Sequence, residues 1–356
     1  MIGYDEPAQT VDAAQPEPDA SMLDAEPERD AAAVDDASAA VMDASPDGAP
    51  SDAAADARAP LGPWTTLPWT SGVHYGNEPP SYEQFSTFRG RPLDVVTLYV
   101  DRNSWAGLVN PDWWYNNFRN YPARIVLSEP LFPVAPTTLG NIADCALGEY
   151  DTEWRKLGTF LAARAPETVI RLGWGPNDPT HEWCAGSDPA EYISCFRRTV
   201  AAIRSTAPRV QIDFSIDPIV SNIPASGNPY DLYPGDDVVD IVGMDVFDRL
   251  PALRTDADWS AKCNAPLGLC TLIAFARAHG KRFSVGEWGI TTCGEQPGGD
   301  NPFFIEKMVQ MFAENADMLA YEAYFDDPGD EVCSMLYVPN VAPNARATYK
   351  RLYQLP

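Results

Sequence analysis

Thr168–Trp174 (TVIRLGW), then Tyr192, Phe196, Val200 and Ile203 at helical spacing, then Val210–Ile216 (VQIDFSI) read as strand, helix and strand. A short β-branched run, a helical apolar stripe and another such run form the unit that builds a parallel sheet. The pattern repeats outward in both directions. Upstream lie Gly72–Tyr75, a weaker candidate, then Leu93–Val100 (LDVVTLYV) and Arg124–Leu127. Downstream lie Val239–Phe247, Arg282–Trp288 (RFSVGEW) and Met318–Phe325 (MLAYEAYF). Helical patterns stand between several of them: Tyr150, Trp154, Leu157 and Leu161; Leu272–His279, stopped by Gly280; and Phe304, Met308 and Met311. Strands that are apolar on both faces need helices on both faces. Eight such units predict one (β/α)₈ TIM barrel over residues 61–356. An open doubly wound sheet is the alternative, but no GxGxxG follows the first strand.

Residues 1–60 are different text. They carry 15 Asp/Glu against Arg29 and Arg58, half of the chain's net charge of −26, and Tyr4 is their only aromatic. All ten Trp lie beyond them. Such a stretch buries too little apolar surface to offset its ordering entropy, which predicts a disordered acidic Ala/Asp/Pro-rich tail or linker. No basic stripe exists to neutralise phosphates, which argues against a nucleic-acid partner. No run of about 18 apolar residues occurs, so no integral membrane segment is expected.

The seven cysteines fit no zinc spacing. Cys263 and Cys270 flank a short Pro/Gly segment, and Cys293 and Cys333 follow strands that are expected to be neighbours. Cys195 sits in an apolar helical pattern and reads as a buried free thiol. Two or three disulfides would place the protein in an oxidising compartment. The expectation is an extracellular or lipid-anchored cell-surface monomer, although Met1-Ile-Gly-Tyr4 has no signal-peptide character.

In such a barrel the site lies at the C-terminal ends of the strands. Those ends read Arg171, Trp174, Gly175, Asn177 and Asp178; Asp213 and Asp217; Asp245 and Asp248; Glu287 and Trp288; Tyr321, Glu322, Tyr324 and Asp326. These are carboxylates and aromatic rings, without a Ser/His pair, a phosphate loop or a metal cluster. His181 beside Glu182 lacks a second His at helical spacing, so neither a metal nor a cofactor is expected. Carboxylate pairs suit glycoside hydrolysis, and aromatic faces stack on sugar rings. A lyase or aldolase would want a Lys or a metal at these strand ends.

Residues from about 68 to 353 resemble glycoside hydrolase family 26, the β-mannanase group of retaining (β/α)₈ enzymes. The resemblance runs in order through Thr168–Trp183 (TVIRLGWGPNDPTHEW), Phe196–Val200, Tyr233–Asp245, Gly286–Gly289, and Gly298–Ile305 followed by Tyr321–Phe325. It implies a β-linked polysaccharide or oligosaccharide as substrate and Glu287 as the nucleophile; a buried Glu salt-bridged to Arg171 is the plainer reading of the same position. It also implies a general acid just after the fourth strand, in a pattern resembling Trp-Glu-Met-Asn-Gly. Here that stretch is Trp174-Gly175-Pro176-Asn177-Asp178, so the acid/base position is Gly175, which has no proton to give. Asp178 and Glu182 are the substitute acids this reading offers. The alternative is a catalytically silent glycan-binding protein on the same barrel. Trp174, Trp288 and Tyr324 are expected to line the cleft, Asn177 to bond a sugar hydroxyl, and Asp245 to bond sugar or orient Arg171. Trp113 and Trp114 either rim the cleft or pack a helix.

Overall fold

The computed structural model describes Leu61 and residues 64–356, apart from Pro111, Thr138, Val220, Glu295 and residues 328–331. The acidic segment over 1–60 lies outside the described residues. Nine strands run in order: β1 Ser71–His74, β2 Val95–Tyr99, β3 Arg124–Glu129, β4 Val169–Leu172, β5 Gln211–Ile216, β6 Ile241–Met244, β7 Val246–Asp248, β8 Arg282–Ile290 and β9 Leu319–Phe325. All pairings among them are parallel. Neighbours pair in sequence order from β1 to β6, β6 pairs with β8, β8 with β9, and β9 with β1. The sheet therefore closes, and the (β/α)₈ barrel is the fold. The expected sixth strand is broken at Asp245 into β6 and β7, and β7 pairs only with β8.

Alternation along each strand sorts the residues into two cores. Val96, Leu98, Leu127, Ile170, Leu172, Ile212, Phe214 and Val242 join the large core between sheet and helices. Val95, Val126, Val169, Ile241, Ala320 and Tyr321 form a separate cluster inside the barrel. Helix starts follow capping rules. Asp188 accepts from the Ala190 N–H at 2.9 Å with Pro189 opening the helix Pro189–Arg204, and Thr255 with Asp258 forms a reciprocal capping box for Asp256–Cys263.

Three disulfides join Cys145–Cys195, Cys263–Cys270 and Cys293–Cys333. The last two match the sequence reading. Cys195 corrects it: the helix Ile142–Leu147 packs on Pro189–Arg204 and brings Cys145 to a Cα–Cα distance of 4.9 Å. Cys184 is the free thiol. The first bridge closes a loop of 50 residues. Replacing Cys145 and Cys195 together by Ala is expected to lower unfolding free energy by about 2–4 kcal/mol, read as an earlier urea midpoint.

Candidate active site

Glu287 lies within β8, its side chain 13% exposed. One of its oxygens receives two donors: Arg171 Nη1 at 2.6 Å and the Tyr99 hydroxyl from the end of β2. The other end of the Arg171 guanidinium donates to Asp245 Oδ2, in the break between β6 and β7. One fully buried cation thus spans the barrel mouth and holds a carboxylate from either side, which offsets the cost of burying all three charges. Gly286 leaves it room: a Cβ there would lie 2.7 Å from Arg171 Nε. Burial, and then the nearby Glu287 charge, push the Tyr99 phenol well above its usual range, so it keeps its proton and donates. Burial also raises the Asp245 carboxyl, with Arg171 pulling it back.

Gly175 follows β4 with φ +59°, a left-handed conformation that favours glycine. Its N–H donates to Ser215 O of β5 at 2.9 Å. The space where its side chain would start is taken. A Cβ would stand 2.5 Å from Asp217 Oδ2 and 2.7 Å from His181 Cε1. Asp217 directly follows β5, and its backbone is clamped by one side chain. Asn177 Nδ2 donates to Asp217 O, and the Asp217 N–H donates to Asn177 Oδ1, both at 2.9 Å. Asp217 is pushed up to about 7, first by burial, then by the negative charges of Glu287 and Asp178. His181 stacks on Trp183 and bonds Gly175 O through Nδ1 at 3.1 Å. Asp178, His181 and Asp217 place one ligand atom each within 4.8 Å of one another.

The other sequence candidates divide. Arg171, Asp245 and Glu287 meet in the mouth, and Asp245 orients Arg171. Trp174 is nearly buried, its ring between Tyr99 and His181 and 5.6 Å from Arg171 Cζ. Trp288 is no cleft wall: it is fully buried and donates to Glu322 Oε2 at 2.6 Å. Tyr324 is buried as well, its hydroxyl donating to Ser334 O. Asn177 is 1% exposed, and both ends of its amide are spent on Asp217, which leaves nothing for a sugar hydroxyl. Glu182 is exposed, and Asp178 accepts from Thr180 N–H and Oγ1 at 2.8 Å. Trp114 packs the core from the helix Asp112–Phe118, and Trp113 packs partly against it. The strand-end reading names Asp217 without giving it a role, and it passes over Tyr99.

The filled space at Gly175 changes what a substitution there does. Gly175→Glu does not restore an acid but collides with Asp217 and His181. It is expected to lower the unfolding free energy, read as an earlier urea midpoint than that of the unaltered chain. Gly175→Ala is expected to cost more than the about 1–2 kcal/mol of a left-handed backbone alone, because its Cβ already meets Asp217 and His181.

No protein-family model matches the chain, and no curated protein matches it by sequence. Solved structures do match it by shape. The catalytic domain of the family 26 endo-β-1,4-mannanase of Bacillus sp. JAMB-750 superposes with a TM-score of 0.57 at 15% identity, over 81% of this chain and 90% of that one. GH26C from a Muricauda species gives 0.56 at 14% identity, over 80% and 84%. A modular family 26 endo-β-1,4-mannanase of Cellulomonas fimi gives 0.56 at 18% identity, over 78% and 70%. At such identities the likeness is one of fold alone, and the fold shared with these enzymes is the (β/α)₈ barrel.

Proposed function

We propose that the protein is a secreted, retaining β-glycan hydrolase of mannanase type, with Glu287 as nucleophile and Asp217 as acid/base. The observation that carries this reading is the contrast between two carboxyl groups at one barrel mouth. Glu287 receives a guanidinium and a phenol donor, which fix one oxygen and leave the other for attack. Asp217 occupies the place of the missing Gly175 side chain and holds a proton up to about pH 7. A carboxyl that keeps its proton beside a carboxylate held by two donors suits the division into acid and nucleophile that a retaining glycosidase needs.

In the first step Asp217 protonates the glycosidic oxygen as a Glu287 oxygen attacks the anomeric carbon. The leaving alcohol departs and the sugar is held as an ester on Glu287. In the second step the Asp217 carboxylate takes a proton from water, which attacks the same carbon and frees Glu287. Arg171 and Tyr99 position Glu287, and Asp245 positions Arg171. Asp178 stands near Asp217, where its negative charge, after that of Glu287, favours the protonated form.

The mannanase assignment rests on the shape neighbours, and three disulfides support an oxidising, extracellular setting for a monomer. Gly175 favours a second reading, a glycan-binding barrel without turnover. Reducing-sugar release from β-mannan, mixed-linkage β-glucan and β-xylan separates the two. Turnover of β-mannan is expected. Silence on all three, together with measurable oligosaccharide binding, hands the protein to the second reading.

A further inference from the structure

Beyond Asp217 the cleft opens into a cavity of about 540 Å³, roofed by the segment that follows β7 and by the helix Asp256–Cys263. Asp178, Asp217 and Asp245 border it, together with the apolar Phe247, Leu253, Trp259, Leu267, Leu269 and Phe304. Glu287 is not part of its wall. A general acid faces the oxygen that leaves, so a cavity bordered by Asp217 and not by Glu287 lies on the leaving-group side.

The wall is mainly apolar, and besides the three carboxylates that border it only Arg249 and Lys262 are charged side chains not already engaged as follows. Asp248 is spent on the Leu253 N–H and on Asn301 Nδ2, and Asp258 is spent on its capping box. A buried hydroxyl left without a hydrogen bond is costly, whereas an apolar ring gains from leaving water. The volume falls in the range of pockets that enclose a small ligand. We propose that this chamber binds an aromatic aglycone, so that the protein cleaves aryl β-glycosides as well as, or in preference to, bonds between two sugars. The proposal rests on Asp217 being the acid that faces the leaving group.

Calorimetric affinities test it on the Glu287→Gln chain, which holds a glycoside without cutting it. The probes are phenyl and methyl β-mannoside, β-glucoside and β-xyloside. In at least one pair the phenyl member is expected to bind about tenfold tighter or more. That preference should disappear in Ala265→Trp and in Ala252→Trp, two variants that fill the chamber from different sides; near-ultraviolet circular dichroism establishes that each is folded. Equal affinity within every pair, or no phenyl glycoside binding at millimolar concentration, overturns the chamber. A phenyl preference that survives in both folded filling variants overturns it too. Absence of glycan turnover by the unaltered chain, with the phenyl preference intact in Glu287→Gln, strikes the hydrolytic reading instead, because binding is measured without catalysis.

Discussion

Glu287→Ala is expected to reduce glycan turnover by about 10⁴–10⁶-fold, the scale on which an enzyme loses its nucleophile. The covalent step has no substitute in this site. Asp245, the other carboxylate on Arg171, lies across the guanidinium and is 4% exposed. The Ala variant also removes half the compensation of a fully buried cation, a change that costs roughly 3–5 kcal/mol when a buried pair is broken. Stability and activity must therefore be measured together. Glu287→Gln keeps an oxygen to accept from Arg171 and Tyr99, and should retain more stability while remaining equally inactive. A Gln variant that turns over glycan at more than about a hundredth of the unaltered rate would remove Glu287 from the chemistry.

Asp217→Asn carries the second large effect. A positioned acid/base is worth about 10²–10⁴-fold in rate, and turnover of β-mannan should fall by that factor. The loss should depend on the leaving group. A sugar alcohol needs the proton, whereas nitrophenol leaves well without it. The pH profile has a definite sign. Asp217 is pushed up to about 7 and must be protonated to act, so kcat/KM should fall as pH rises through about 7. Asp217→Asn should erase that alkaline limb.

The same shift bears on stability. The folded chain keeps a proton on Asp217 that an unfolded Asp releases above its usual 3.8. Asp326, raised to about 7, and Asp213, raised to about 6, behave alike, burial being the main cause in each. The folded state therefore binds more protons between these values and 3.8, and stability falls as pH rises across that window. Thermal unfolding at pH 8 is expected below that at pH 5, and Asp217→Asn should reduce the difference.

Much of the barrel was legible because its strands are apolar on both faces and its helices carry apolar stripes. Glu287 and Arg171 were legible as charged residues in otherwise apolar strand text, where a charge must find a partner. Trp288 was legible too, by a rule not applied to it: adjacent strand residues face opposite ways, so a Glu287 that faces the mouth sends Trp288 into the helix layer. Asp217 was visible as a carboxylate at a strand end. Its apposition to Gly175 was not, because it depends on how β4 and β5 are staggered and on the Asn177 clamp between their loops. Cys195 had the surroundings of a buried thiol, and its partner lies 50 residues away on another helix. Tyr99 reads as one more apolar strand residue, and only the closed barrel turns its hydroxyl toward β8.

The pairing of Asp217 with Glu287 is the central claim, and the product formed by Asp217→Ala in azide tests it most directly. An aryl β-mannoside that leaves unaided loads the sugar onto Glu287, which then waits for a base that is gone. Azide needs no base and fits the space vacated by the carboxylate. It attacks the face opposite Glu287, so the expected product is β-mannosyl azide, formed faster as azide is raised. Absence of that product while the aryl leaving group is still released, or undiminished β-mannan hydrolysis by Asp217→Ala, would contradict Asp217 as the acid/base.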